Sequence, residues 1–234
     1  MLAMGVVRAQ QFERCLNGTD DYSALDPDDR RAVALGISSN PALAADFVRS
    51  DIEELDGVID ALSDGGRVLE LGCGVGSRIT GLMLAFPQAS AVGVELAEDL
   101  VFYGRERASQ LGVADRVSFV VGDATTYEPD GTFDLVGWSQ FFFPEPSRPG
   151  ALRTARRALR PGGWVTAPAV WDGVAVEPGS PAHRTLATHR LMIDIWGVPL
   201  KPTLAVADEM AAAGFVELRI DRNLSGWLVR GRQP

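Results

Sequence analysis

The chain has 234 residues, 46% of them hydrophobic and 23% charged, with a formal net charge of −9. That length buries one large core, or one core with a small appendage. The acidic balance excludes a general nucleic-acid binder, which needs a surplus of Lys and Arg to neutralise phosphates. No apolar run approaches the roughly 20 residues that span a bilayer. Met1 to Gln11 lacks the charged start and long apolar stretch of a signal peptide. A cytoplasmic protein with no membrane and no nucleic-acid partner is expected. Cys15 and Cys73 are too few for a zinc site or a disulfide framework. Lys201 is the only lysine, and arginine supplies the remaining fixed positive charge. This is codon bias of a GC-rich genome, on which a bacterial origin is hypothesised.

Residues 1 to 65 read as mainly helical, with breaks at Asp26-Pro27 and Asn40-Pro41. Leu43, Phe47, Ile52, Leu55, Ile59 and Leu62 approximate one face of one or two helices, until Asp64-Gly65-Gly66 stops the run. Strands and helices then alternate. Strands are expected at Arg67 to Leu71, Ala91 to Val94, Val117 to Val121, from Phe133, and at Trp164 to Val170. Helices are expected at Ser77 to Phe86, Asp99 to Leu111 and Pro149 to Leu159. A last helix, Leu204 to Ala213, precedes two strands, Phe215 to Ile220 and Trp227 to Arg230, whose short connection suits an antiparallel pair.

Nearly unbroken apolar strands alternating with helices predict a parallel sheet covered on both faces. Such sheets bind ligands beyond the carboxyl ends of their strands. Gly72 to Gly76, Glu95, Asp123 and Trp138 to Phe143 each directly follow a predicted strand.

The first of these, Glu70-x-Gly72-x-Gly74-x-Gly76, lets the backbone turn sharply and lets a ligand approach without a side chain intervening. The following helix points its amides at that ligand. Dinucleotide folds use G-x-G-x-x-G for the same reason, but here the third glycine comes one residue early and Ser77 takes its place. Cys73 inside the turn is read as a small space-filler. Glu95 can accept from the ribose hydroxyls of an adenosine, a role shared with NAD enzymes. Asp123, in Gly122-Asp123-Ala124, can accept from the exocyclic amine of adenine.

Together with Phe133-Asp134-Leu135-Val136 and Leu159-Arg160-Pro161-Gly162-Gly163, these motifs fall in the order and approximate spacing of a known family. The chain resembles the class I S-adenosylmethionine-dependent methyltransferases over about residues 60 to 230. The Leu-Arg-Pro-Gly-Gly turn discriminates best, because dinucleotide enzymes have no equivalent. The resemblance implies a Rossmann-like α/β fold. Its seven-stranded, mostly parallel sheet has an antiparallel last strand and helices on both faces. It also implies that Glu70, Gly72, Cys73, Gly74 and Gly76 hold the amino-acid part of the cofactor. Glu95 would hold the ribose, Asp123 with Ala124 the adenine, and Ser139 would face the methionine portion, with Leu96 and Gly122 as further cofactor contacts. Residues 1–65 are read as a helical lid and 66–234 as the methyltransferase domain.

Methyl transfer is an in-line displacement at a sulfonium carbon, so the enzyme aligns the acceptor, excludes water and in some cases removes a proton. Gly137-Trp138-Ser139-Gln140-Phe141-Phe142-Phe143-Pro144 lacks the Asn/Asp-Pro-Pro-Tyr/Phe motif of amino methyltransferases of this fold. It also lacks the acidic ligands of catechol-type enzymes, so no metal is expected. Trp138, Gln140, Phe142 and Phe143, with Tyr22 from the N-terminal segment, are expected to contact a small-molecule acceptor. The long Pro168 to Pro202 connection holds His183 and His189, the candidate general bases near neutral pH. Six residues apart in a helix, they would stand about 240° apart around its axis and make poor joint metal ligands. Two other readings stay open: a dinucleotide-dependent oxidoreductase, and a protein that binds the cofactor without catalysis. The oligomeric state, a homodimer included, is left open.

Overall fold

The computed structural model describes residue 13 and residues 25–37, 41–195, 198–223 and 226–234. Tyr22 and Cys15 lie outside the described residues. The first helices are α1 (Pro27–Ile37), α2 (Pro41–Ser50) and α3 (Val58–Ser63). Asp26 caps α1, its Oδ1 accepting from the backbone N–H groups of Asp28 and Asp29 at 3.0 Å each, with Pro27 at the first helical position. An irregular stretch divides α2 from α3, which begins at Gly57 (φ 73°). α3 stops where the sequence predicts: the Gly66 N–H donates to Ala61 O at 2.8 Å.

The alternating part comprises β1 (Arg67–Leu71), α4 (Ser77–Ala85), β2 (Ser90–Glu95), α5 (Glu98–Gln110), β3 (Val117–Val121) and β4 (Phe133–Trp138). A single 3-10 turn, Gln140–Phe142, leads to α6 (Arg148–Ala158) and β5 (Leu159–Ala169). After α7 (Pro181–Ile195) and α8 (Thr203–Ala212), the chain ends with β6 (Val216–Asn223) and β7 (Gly226–Arg232). These strands form one seven-stranded sheet in the order β3-β2-β1-β4-β5-β7-β6. β7 runs antiparallel to both β5 and β6, and the other pairings are parallel. This is the sheet the sequence predicts. The chain winds outward from β1 to β3 and then returns to the other side of β1 with β4. The crevice at that reversal is where open α/β sheets bind ligands.

Alternate residues of each strand feed two cores. Val68, Leu135 and Trp164 face Ile79, Leu82 and Phe86, together with Val48, Ile52 and Leu55. Leu69, Val136 and Trp138 face Ala151 and Ala155 of α6 and Val206 and Met210 of α8. Val48, Ile52 and Leu55, which precede the boundary expected at residue 65, share this first core with the sheet.

The Leu159–Gly163 turn is built into β5 as a bulge. Phe133 pairs with Leu159 and Leu135 with Trp164, so the residues between loop out of register. Gly162 adopts φ 77°, and the tail closes over it: Gly162 N–H donates to Gln233 O and Gln233 N–H to Gly163 O. Asp134 fixes both ends of this corner. One carboxylate oxygen accepts from the Arg67 N–H that opens β1, and the other pairs with Arg160.

The 168–202 connection contains α7, which the sequence reading does not place. Its signal is Ser180-Pro181: the Ser180 hydroxyl accepts from the His183 N–H at 3.1 Å, an N-cap followed by proline at the first helical position. Thr203 N–H donates to Trp171 O at 3.0 Å and closes the neck of this excursion. Among the described residues no helix is long and apolar enough to cross a membrane, and no group of three or more His, Cys, Asp or Glu could hold a metal ion.

Because Asp134 joins β1 to the β5 bulge, Asp134→Ala is expected to destabilise the fold by about 1–2 kcal/mol. Urea denaturation measures this, and an unchanged midpoint would show that the corner does not depend on that carboxylate.

Candidate functional site

Four loops meet at the carboxyl edge of β1 to β4, and hydrogen bonds tie each to the next. Gly72 and Cys73 N–H groups both donate to Val94 O, at 2.9 and 3.1 Å. The Glu95 carboxylate accepts from Gly74 N–H at 2.9 Å through one oxygen and from Ala97 N–H at 3.1 Å through the other. Gly122 N–H donates to Glu95 O, and Ser139 N–H to Leu71 O. The glycine turn, Glu95, the Gly122–Ala124 segment and Ser139 therefore form one connected rim.

The three glycines of the turn are all left-handed, with φ of 73°, 54° and 67°. Their surroundings differ. A Cβ on Gly72 would stand 2.8 Å from the Phe143 ring, and one on Gly76 2.5 Å from the Phe119 ring. Around Gly74 nothing lies within 4 Å, so only this glycine opens onto free space. Leu96 beside it is 68% exposed, an apolar side chain at the crevice without packing. Asp123 is exposed, with Oδ1 accepting from Thr125 N–H at 2.7 Å in a tight turn. Ala124 beside it is buried.

Glu70 is the buried charge of the site. Ser139 Oγ donates to its Oε1 at 3.4 Å, while Oε2 is buried without a partner. Burial pushes the carboxyl up to about 7, and the Arg78 cation, the Ser139 hydroxyl and the Ile79 N–H oppose that rise. Burial also raises the Glu95 carboxyl, against the N–H groups of Ala97, Gly74 and Leu96. Burial holds the Cys73 thiol well above its usual range, which suits a space-filler better than a nucleophile.

α1 lies against this rim. Ala34 packs with Val75 of the glycine turn and Leu100 of α5. Arg30 pairs with Asp99 at 3.0 Å, and the Arg31 guanidinium sits 4.0 Å above the Tyr103 ring. A second small cluster joins Leu25 and Val33 to Phe141 and Phe142 after β4, and to Ile193 of α7 and Val198. α1 and α7 thus meet over the β4 end of the crevice.

On the acceptor side the structure divides the expected residues. Trp138 is wholly buried in the main core, 6.0 Å from Phe143 in an edge-on contact. Gln140 is 1% exposed, its Oε1 accepting from Arg148 and its Nε2 donating to Pro168 O. The side chains of these two are taken up by packing and by internal hydrogen bonds. Phe143 is buried against Gly72, and Phe142 is half-buried between α1 and α7. His183 is bound into the start of α7, its Nδ1 accepting from Gly179 N–H at 3.2 Å. His189 is half-buried, one helical turn before Ile193.

Sequence reasoning missed two arginines. Arg148 donates to Gln140 O at 2.9 Å and to Glu209 at 2.7 Å, and stacks 4.8 Å from the Trp138 ring. Lys201 bridges Glu209 and Glu145 and ties the neck of the α7 excursion to the same network. Arg78 reaches across β4 to Thr166 Oγ1 at 2.9 Å. In the sequence neither arginine differs from a surface residue. A reversal of charge beside the glycine turn is the only available signal for Arg78.

A seven-stranded sheet with one reversed strand and a glycine rim at its switch point defines the Rossmann-like methyltransferase class. The comparisons agree. A family described as "Methyltransferase domain" matches residues 68–163. The nocamycin O-methyltransferase of Saccharothrix syringae is 30% identical over 200 residues, covering 76% of this chain and 69% of that protein. The sterol 24-C-methyltransferase of Eremothecium gossypii is 32% identical over 167 residues, covering 69% of this chain. The chain spans 43% of that enzyme's length. The solved structure of PigF with SAH superposes with a TM-score of 0.71 at 20% identity, over 98% of this chain and 68% of that one. The chain belongs to the class I S-adenosylmethionine-dependent methyltransferases.

The different surroundings of the glycines predict different costs. Gly74→Ala is expected to lose about 1 kcal/mol, from its left-handed backbone alone. Gly76→Ala adds a clash with Phe119 and is expected to lose about 2–4 kcal/mol. Equal urea midpoints for the two variants would contradict this account of the turn.

Proposed function

We propose that the chain binds S-adenosylmethionine along the β1 to β4 rim and passes its methyl group to a small-molecule acceptor beneath α1 and α7. One observation carries the cofactor reading: Glu70 Oε2, a buried acceptor without a partner, stands at the base of a turn whose Gly74 opens onto free space. An unpaired buried carboxylate oxygen is costly unless a cation or donor completes it. The ammonium of the cofactor's methionine is such a group. Glu95 has lone pairs beyond the two used by Gly74 and Ala97, and these accept the ribose hydroxyls. Leu96 covers one face of the adenine and Asp123 accepts from its amine. When bound, the sulfonium supplies an activated methyl group.

The chain's own residues align the acceptor. Phe142 and the α1–α7 cluster supply an apolar cover that excludes water from the transfer. Ser139, hydrogen-bonded to Glu70, faces the methionine portion. His189 rather than His183 is the base in this reading, because His183 already serves the start of α7. No metal is invoked, since Ser139 and Gln140 offer no carboxylate. The acceptor atom stays open: relatives with this domain include a sterol C-methyltransferase and a nocamycin O-methyltransferase.

Calorimetry separates this reading from the dinucleotide one. S-adenosylhomocysteine is expected to bind, and Asp123→Ala to weaken it about tenfold. Binding of NAD(H) or NADP(H) without binding of S-adenosylhomocysteine would overturn the proposal. If the acceptor must lose a proton, His189→Gln is expected to lower kcat about 100-fold. Full turnover in that variant would leave alignment alone as the mechanism.

A further inference from the structure

Glu70 and Arg78 approach one another across a gap that only glycine leaves. A Cβ on Gly137 would clash with Arg78 Nη1, and would stand 3.3 Å from Arg78 Cζ and 3.5 Å from Glu70 Cγ. Gly137 pairs with Glu70 on one side and with Thr166 on the other, so the three are lateral neighbours on one face of the sheet. Arg78 enters this row from the first turn of α4, and Thr166 Oγ1 holds its Nη2. Its Nη1 is buried without a partner, as is Glu70 Oε2. Two unpaired groups of opposite charge therefore share one buried space beside the turn. Nothing in the cofactor reading uses the arginine.

We propose that Arg78 is a positioning residue whose guanidinium, reaching across Gly137, keeps Glu70 ionised for the ammonium of the cofactor. The inference rests on the cofactor reading above. Burial works against the charged carboxylate, and so does the neighbouring Glu95. The groups that favour it are Arg78 from α4, Ser139 Oγ from the loop after β4, and Ile79 N–H from the helix start. The Cys73 thiol faces the same space, and burial keeps it neutral. Arg230 of β7 is the register partner of Thr166 and forms ion pairs with Asp221 and Glu54. Arg78 is thus the cation that acts on Glu70. Thr166, held in β5, prevents the guanidinium from swinging out to water.

The sign follows from Glu70. With its carboxyl at about 7, the charged form fades as pH falls through neutrality, and attraction for an ammonium fades with it. Removing the Arg78 cation raises that point further, because a nearby opposite charge lowers a carboxyl pKa by about 1–3.

The test measures S-adenosylhomocysteine affinity by calorimetry from pH 5.5 to 8.5 on the full chain. Wild-type affinity is expected to fall below pH about 7. In Arg78→Met the fall is expected to begin about one pH unit higher. Arg78→Lys, which keeps the charge, is expected to retain the wild-type profile. Glu70→Gln is expected to bind more weakly with no such fall, and adding Arg78→Met to it is expected to leave the profile flat. Arg78→Gln, which keeps a donor for Thr166, replaces Arg78→Met if that variant does not fold. A uniform loss of affinity at every pH in the Arg78 variants would make Arg78 merely structural and overturn the inference. So would the same pH displacement in the Glu70→Gln background. Absence of binding by the wild type at every pH would instead overturn the cofactor reading itself.

Discussion

The Glu95 carboxylate ties two loops that the sequence keeps 21 residues apart. Through one oxygen it holds Gly74 of the turn after β1, and through the other Ala97 at the start of α5. The left-handed conformation of Gly74 is costly for other residues, and this bond fixes its amide in place. Val94 O, one residue earlier, receives the Gly72 and Cys73 amides. The end of β2 therefore shapes the turn at the end of β1. Ser139 and Gly122 then bring the ends of β4 and β3 into the same rim. A ligand entering there meets oriented groups and need not order them itself, which lowers the entropic cost of binding.

The two faces of the rim do different work. Below it, Glu70, Arg78 and Thr166 form a polar row on one face of the sheet, and Gly137 leaves the space that row needs. Buried ionic groups add little to stability in general. Their presence here is better explained by ligand recognition than by packing. Above it, α1 and α7 meet around Phe141 and Phe142. The network of Arg148, Gln140, Glu209 and Lys201 joins the turn after β4 to the neck of the α7 excursion. The rim and the neck of the α7 excursion are thus held by separate sets of charges.

The sheet was legible in the sequence because β1 to β5 are nearly apolar runs, and each of the seven strands is bounded by glycine, proline or a charged turn. The four loops of the rim could be placed from the sequence for a related reason. Their residues sit directly after strands, where position alone assigns a direction. The acceptor side follows no such rule. Trp138 and Gln140 look like pocket residues in the sequence, yet both are buried, with Arg148 stacked on the one and hydrogen-bonded to the other. The α7 helix was hidden because its residues have weak amphipathic periodicity, and its Ser180-Pro181 start is short. Val48, Ile52 and Leu55 pack on the sheet through contacts distant in sequence, which no local pattern reveals.

The central claim is that the Glu70–Gly76 turn, Glu95 and Asp123 together form one site for S-adenosylmethionine. A crystal structure with S-adenosylhomocysteine bound tests it most directly. The account predicts the homocysteine ammonium at Glu70, the ribose hydroxyls at Glu95, and the adenine between Leu96 and Asp123. A ligand bound away from this rim, or one that leaves Glu70 Oε2 without a partner, would contradict it.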